Sequence, residues 1–124
     1  MAYQEIVKSI SLEASSDLSS SQYLFVDANS DGEAAVVSSA GAKAIGVLQN
    51  NPAAQGRAAT VAVQGVVKVV AGAAIAKGAE IASSAAGKAA TATSSQIVLG
   101  ISMTDTTADS QIVSVLLGPT YVKA

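Results

Sequence analysis

From Arg57 to Gln64 the chain reads RAATVAVQ, and its side chains alternate without a break. Ala59, Val61 and Val63 fall on one face, and Thr60, Ala62 and Gln64 on the other. A period of two belongs to a strand with one buried face, because helical neighbours recur at three and four. Short apolar runs of this kind fill the chain: Gln22–Asp27, Ala34–Ser38, Lys43–Gln49, Val66–Ala71, Gln96–Ser102 and Gln111–Leu117. Asp31-Gly32, Asn50-Asn51-Pro52, Met103–Ser110 and Gly118-Pro119 punctuate them with turn chemistry. Gly65 interrupts the longest run, which predicts a bend or bulge where two backbones come close. The pattern predicts an all-β fold. A small β-barrel, a tulip-like β-fold and a small sandwich all fit these strands.

Residues 72–93 follow other rules. GAAIAKGAEIASSAAGKAATAT is rich in alanine, the best helix former, yet Gly72, Gly78 and Gly87 interrupt it. The reading is extended pieces joined by glycine turns, with one short helical turn near residues 72–86. At the other end, Ile6, Ile10 and Leu12 share a face under period two, and five serines between Ser15 and Ser21 make a joint. This divides the chain into an extended N-terminal arm, 1–20, and a single β-rich domain, 21–124.

A shift of 54 positions lays the chain on itself. Ile45-Gly46-Val47 falls on Leu99-Gly100-Ile101, and Ala59, Val61 and Val63 fall on Val113, Val115 and Leu117. The connector Asn50–Gly56 falls on Thr104–Ser110. Two copies of one β-unit, over about 43–71 and 97–124, are the expectation.

Composition closes off chemistries. Of 62 hydrophobic residues 26 are alanine, and Cys, His and Trp are absent. Zinc, haem, iron–sulfur and copper sites lose their usual ligands, so no cofactor is expected. Ser-His-Asp and Cys-His nucleophiles cannot be built. Seven basic residues, spread singly, against nine acidic ones do not make the basic stripe of a nucleic-acid binder. Gln64 and Lys68 break the most apolar stretch, Ala58–Ala76, so no membrane span is expected. The N-terminus lacks the basic start and apolar core of a signal peptide.

Three constellations remain. Asp27, Asn29 and Asp31 followed by Gly32 match the opening of a calcium loop, where oxygens at positions 1, 3 and 5 face one cation. The twelfth position, which needs a bidentate acid, holds Ser38, so a hairpin turn is the stronger reading. Gly87-Lys88 lacks the earlier glycine and the following Ser or Thr of a phosphate loop. Asp27, Asp31, Glu33, Asp105 and Asp109 are scattered in turns with no aromatic cleft beside them, which argues against a hydrolase.

The runs AIGVLQNNPAAQGRAATVAVQGVVKVVAG (44–72), AIAKGAEIASSAAGKA (74–89) and VLGIS…VSVLLGP (98–119), with Asp17-Leu18, Gln22-Tyr23 and Phe25-Val26 before them, resemble tailed-phage capsid decoration, or cement, proteins. The resemblance covers roughly residues 15–119. It implies a small β-rich protein, usually trimeric, that sits on the outer surface of the virion head and ties neighbouring major capsid subunits together. It implies no catalytic residue.

The residues agree with such a role. Only 36 hydrophobes are larger than alanine, so self-association would add burial that a lone chain lacks. The acidic balance suits the outside of a DNA-filled shell. Tyr3, Ile6, Ile10 and Leu12 of the arm are the candidate contacts, pairing with a capsid strand edge or a neighbouring copy. Two other classes stay open: another phage structural part, such as a tail-tube or fibre-base module, and a calcium-assisted cell-surface adhesion module.

Overall fold

A computed structural model describes residues 2–124. Nine strands follow in order: β1 (Glu5–Glu13), β2 (Phe25–Ala28), β3 (Ala34–Val36), β4 (Gly46–Leu48), β5 (Ala58–Val70), β6 (Glu80–Ser83), β7 (Ala89–Thr91), β8 (Ile97–Ser102) and β9 (Ile112–Val122). They form one sheet in the order β3-β2-β4-β5-β9-β8-β6-β7, with β1 added alongside β5. Single parallel bridges, Ala14 to Ala34 and Ala71 to Ala89, curl each end of the sheet back towards its centre. The all-β expectation holds, and the curled sheet is barrel-like.

No described residue is helical, so the short helical turn expected near 72–86 is corrected. That segment is a bend, a bridge at Ile75, a turn at Lys77-Gly78 and strand β6. Gly78 has φ of +84°, which no helix accommodates, and Ile81 and Ala82 are fully buried on opposite faces of β6. Tertiary pairing of β6 with both β7 and β8 overrides the helix propensity of alanine.

The strand β5 holds the sheet together. Its first part, the alternating run read from the sequence, pairs with β1 and, at Val61 and Ala62, with β4. Its second part pairs with β9 from Gly65 to Val70. Gly65 sits at the changeover with φ of +105°. A Cβ there would lie 2.3 Å from Glu5 O and 2.6 Å from Val7 N, so only glycine lets β1 approach. This is the close backbone contact that the interruption predicted.

The ladders of the two halves match pair for pair. Val47 and Leu48 face Ala62 and Val61, while Ile101 and Ser102 face Leu116 and Val115. Val26, Asp27 and Ala28 face Val36, Ala35 and Ala34, while Ile81, Ala82 and Ser83 face Thr91, Ala90 and Ala89. Ile10 and Leu12 face Val61 and Ala59, while Val67 and Val69 face Val115 and Val113. The correspondence reaches β1, β2, β3, β6 and β7, outside the stretches that the sequence shift aligned.

Valine and alanine fill the interior. One cluster joins Phe25 and Val47 to Val67, Val69, Ile81, Val113 and Val115. A second gathers Leu18, Val26, Leu48, Ala59 and Val61 beneath β1. Each fully buried valine or larger residue contributes about 1.5–3 kcal/mol. The small interior residues have a geometric reason. A Cβ on Gly46 would lie 2.1 Å from Ala62 O, and one on Gly100 would lie 2.4 Å from Leu116 O. The same valine methyl, on Val61 or Val115, closes each gap at 2.8 and 2.7 Å.

Gly46→Ala and Gly100→Ala should therefore each lower the unfolding free energy by about 1–3 kcal/mol, the cost of overpacking. Urea denaturation measures both. A loss under about 0.5 kcal/mol at either site contradicts the close approach.

Candidate functional site

The arm is stitched to the sheet along its inner edge. β1 runs antiparallel to β5 from Glu5 to Glu13, and among the described residues β5 is its only strand partner. The inner edge continues past the strand. Ser114 Oγ, on β9, accepts the Tyr3 N–H at 2.6 Å and donates to Tyr3 O at 2.7 Å. Gln4 Oε1 accepts the Lys68 N–H. The outer edge carries Glu5, Lys8 and Glu13, charges of the kind that discourage indiscriminate edge pairing.

The four arm residues chosen from the sequence separate into two pairs. Tyr3 and Ile6 are 42% and 41% exposed. Ile10 and Leu12 pack against the cluster beneath β1 and help hold the arm down. Their split comes from an irregularity. The register shifts between Ile6 and Lys8 and again before Ser9, so the strict alternation read from Ile6 to Leu12 is broken. Val7 is turned outward at this bulge and is 76% exposed, the largest exposure of a big apolar side chain among the described residues. The sequence reading missed it. Gly65 was its signal, because that glycine marks where β1 is forced to bulge. Other exposed apolar side chains lie on β9: Leu116, Tyr121 and Val122.

The turn Asp27–Glu33 is built by its own side chain. Asn29 Oδ1 accepts the N–H groups of Asp31 at 3.0 Å and Glu33 at 2.9 Å, an Asx-type turn. Asn29 Nδ2 donates to Glu33, and Asp27 Oδ2 pairs with Lys43. The Asn29 oxygen is thus engaged with the backbone, and Asp27 Oδ1 is a buried acceptor with no donor beside it. Among the described residues no three acids gather as a metal-binding group. Calcium should leave the melting temperature unchanged; a rise of several degrees in a calcium titration overturns the turn reading.

The other charged groups fasten surface segments. Lys88 pairs with Asp109 at 3.0 Å and holds its carboxyl below the usual aspartate range. Lys123 and Tyr121 both donate to the Glu80 carboxylate. Together they keep Glu80 ionised below its ordinary value, and Glu80 raises the Tyr121 hydroxyl in return. Backbone bonds from Lys123 to Gln96 and from Ser95 to Lys123 complete the fastening of the C-terminal segment.

The arrangement is an anchored strand with outward apolar side chains at its start. The chain matches the phage cement protein family over residues 4–117 and belongs to it. It is accordingly a structural component of the phage virion, a decoration of the capsid's outer surface, and the family implies a non-enzymatic role. Its fold is similar to the crystal structure of the head fiber gp8.5 N base in bacteriophage phi29, with a TM-score of 0.71 and 15% identity. That match covers 94% of this chain and 98% of the other. No curated protein sequence matches the chain.

The Glu80 fastening has a definite pH dependence. Its carboxyl is lowered in the folded state, so the contribution is present above the ordinary value of 4.5 and is lost as pH falls through the lowered value. The protection factors of the Lys123 and Ser95 amides against hydrogen exchange should fall over that acid interval before those of the β5 amides do. Simultaneous loss at β5 contradicts a local fastening.

Proposed function

We propose that the protein clamps neighbouring major capsid subunits from outside the head, as a homo-oligomer and by the family resemblance a trimer, with the start of β1 as its contact. The observation that carries this reading is the exposure of Tyr3, just before β1, and of Ile6 and Val7 on that strand, whose inner edge is already locked to β5. Exposed apolar side chains beside a charged strand edge mark a protein-binding surface. Ile10 and Leu12 act indirectly, by fixing the strand from below. Copies linked in one oligomer gain avidity when several contacts engage one shell. The net charge of −2 speaks against nucleic acid as partner.

A fibre-base role is the second reading. The fold shared with a head fiber N base favours it.

The test uses heads stripped of this protein. The double variant Ile6→Asp/Val7→Asp should keep its urea midpoint, because both side chains are exposed, and should lose at least about tenfold in retention on sedimented heads, or 1.4 kcal/mol. Retention equal to the parent's removes the β1 contact. Deleting residues 2–14 serves as a control for stability, not binding. It uncovers the β5 edge and the cluster beneath it, and the truncated chain should melt well below the parent.

A further inference from the structure

The two halves of the sheet correspond beyond their ladders. Asn29 Oδ1 accepts the N–H groups two and four residues on, and Ser84 Oγ does the same for Ala86 and Lys88. Asn50 Oδ1 accepts the Thr60 N–H, and Thr104 Oγ1 accepts that of Ser114. Ser15 N–H donates to Ala34 O, and Gly72 N–H donates to Ala89 O. Gly32 and Gly87, at the two hairpin tips, share φ values of +76° and +77°.

One difference stands out against this match. The tip between β6 and β7 is docked on the first half. Phe25 N–H donates to Gly87 O and Gly41 N–H to Ser83 O, both at 2.8 Å. A Cβ on Gly87 would lie 2.6 Å from Val36 Cγ1 and 3.5 Å from Leu24 Cβ, and both Ser83 and Gly87 are buried. The corresponding tip between β2 and β3 is exposed from Ala28 to Gly32, and a Cβ on Gly32 would meet nothing within 4 Å. The surface that would receive it exists as well. By the same correspondence Leu24, Phe25 and Val36 become Ala79, Glu80 and Thr91. Thr91 is exposed. Leu116, the counterpart of the fully buried Ala62, is 37% exposed on β9, which β8 and β6 separate from β7.

We propose that the Ala28–Gly32 tip of one copy docks on Ala79, Glu80 and Thr91 of a second copy, repeating between chains the contact that Ser84–Lys88 makes within one. This deepens the self-association reading above, on which it rests, by naming the interface. The Gly32 carbonyl meets the Glu80 N–H, as Gly87 meets Phe25. The absent side chain at residue 32 lets the two backbones approach across the methyls of Ala79 and Thr91. Charge agrees: Asp31 and Glu33 flank the tip, Lys77 stands two residues before Ala79, and the Glu80 carboxylate is paired with Lys123 and hydrogen-bonded by Tyr121. Donor tip and receiving surface are different parts of the chain. The contact is therefore head to tail, and it ends in a closed ring when its rotation closes.

The chain has no cysteine, so a disulfide reports the contact without background. Gly32→Cys and Thr91→Cys are made separately, checked for an unchanged circular dichroism spectrum, mixed and oxidised. Asp31→Cys takes the place of the first if the left-handed backbone rejects a side chain. The expected result is a linked dimer in the mixture and none in either variant alone. Thr91→Arg in the parent should shift the light-scattering mass to that of the monomer. An oligomer that yields no mixed disulfide and survives Thr91→Arg overturns this interface and leaves self-association standing. A monomeric parent chain overturns both.

Discussion

Everything in this fold depends on β5 serving two sets of neighbours. Its first part is held by β1 and β4, its second by β9, and Gly65 stands at the changeover. A strand so enclosed must present small side chains where backbones crowd it. Gly46 against Ala62, Gly65 against Glu5 and Gly100 against Leu116 are the three closest approaches, and Val61 and Val115 close around the first and the last. The many alanines and the scarcity of aromatics follow from this crowding. They need not signal a poor core: the valines facing inward from β5 and β9 are fully buried.

Buried and outward apolar side chains share a single strand, β1. Ile10 and Leu12 pack on the interior and Val7 is thrown out at the bulge, so nine residues both hold the strand down and present an exposed apolar side chain. The β5 contact fixes the strand before any partner arrives. A pre-ordered edge binds without the entropy cost of ordering a flexible tail, which is roughly 1–2 kcal/mol for each residue fixed. For the β1 contact proposed above, this preorganisation favours durable attachment.

Much of this fold is legible in the sequence. Arg57–Gln64 announced β5, the Gly65 interruption announced a close approach, and Asp31-Gly32 announced a turn. What escaped was non-local. Residues 72–86 looked partly helical because alanine propensity is local, while β6 exists only through its ladders with β7 and β8. Tyr3, Ile6, Ile10 and Leu12 looked alike because alternation alone cannot show a bulge made by a glycine far along the chain. The match between the hairpins of the two halves was invisible too. Asn29 and Ser84, or Asn50 and Thr104, do the same work with different atoms.

Sharing β5 also sets an order on folding. β1 leaves the ribosome early but has no strand to pair with until Ala58–Val66 has been made. The second part of β5 then waits for β9, near the end of the chain. Ladders between segments so far apart in sequence close slowly, because the loop must be restrained before any contact rewards it. During that interval a half-made chain presents bare strand edges. Glycine breaks, single charges and alanine in place of larger hydrophobes keep those edges poorly adhesive until their own partners are synthesised.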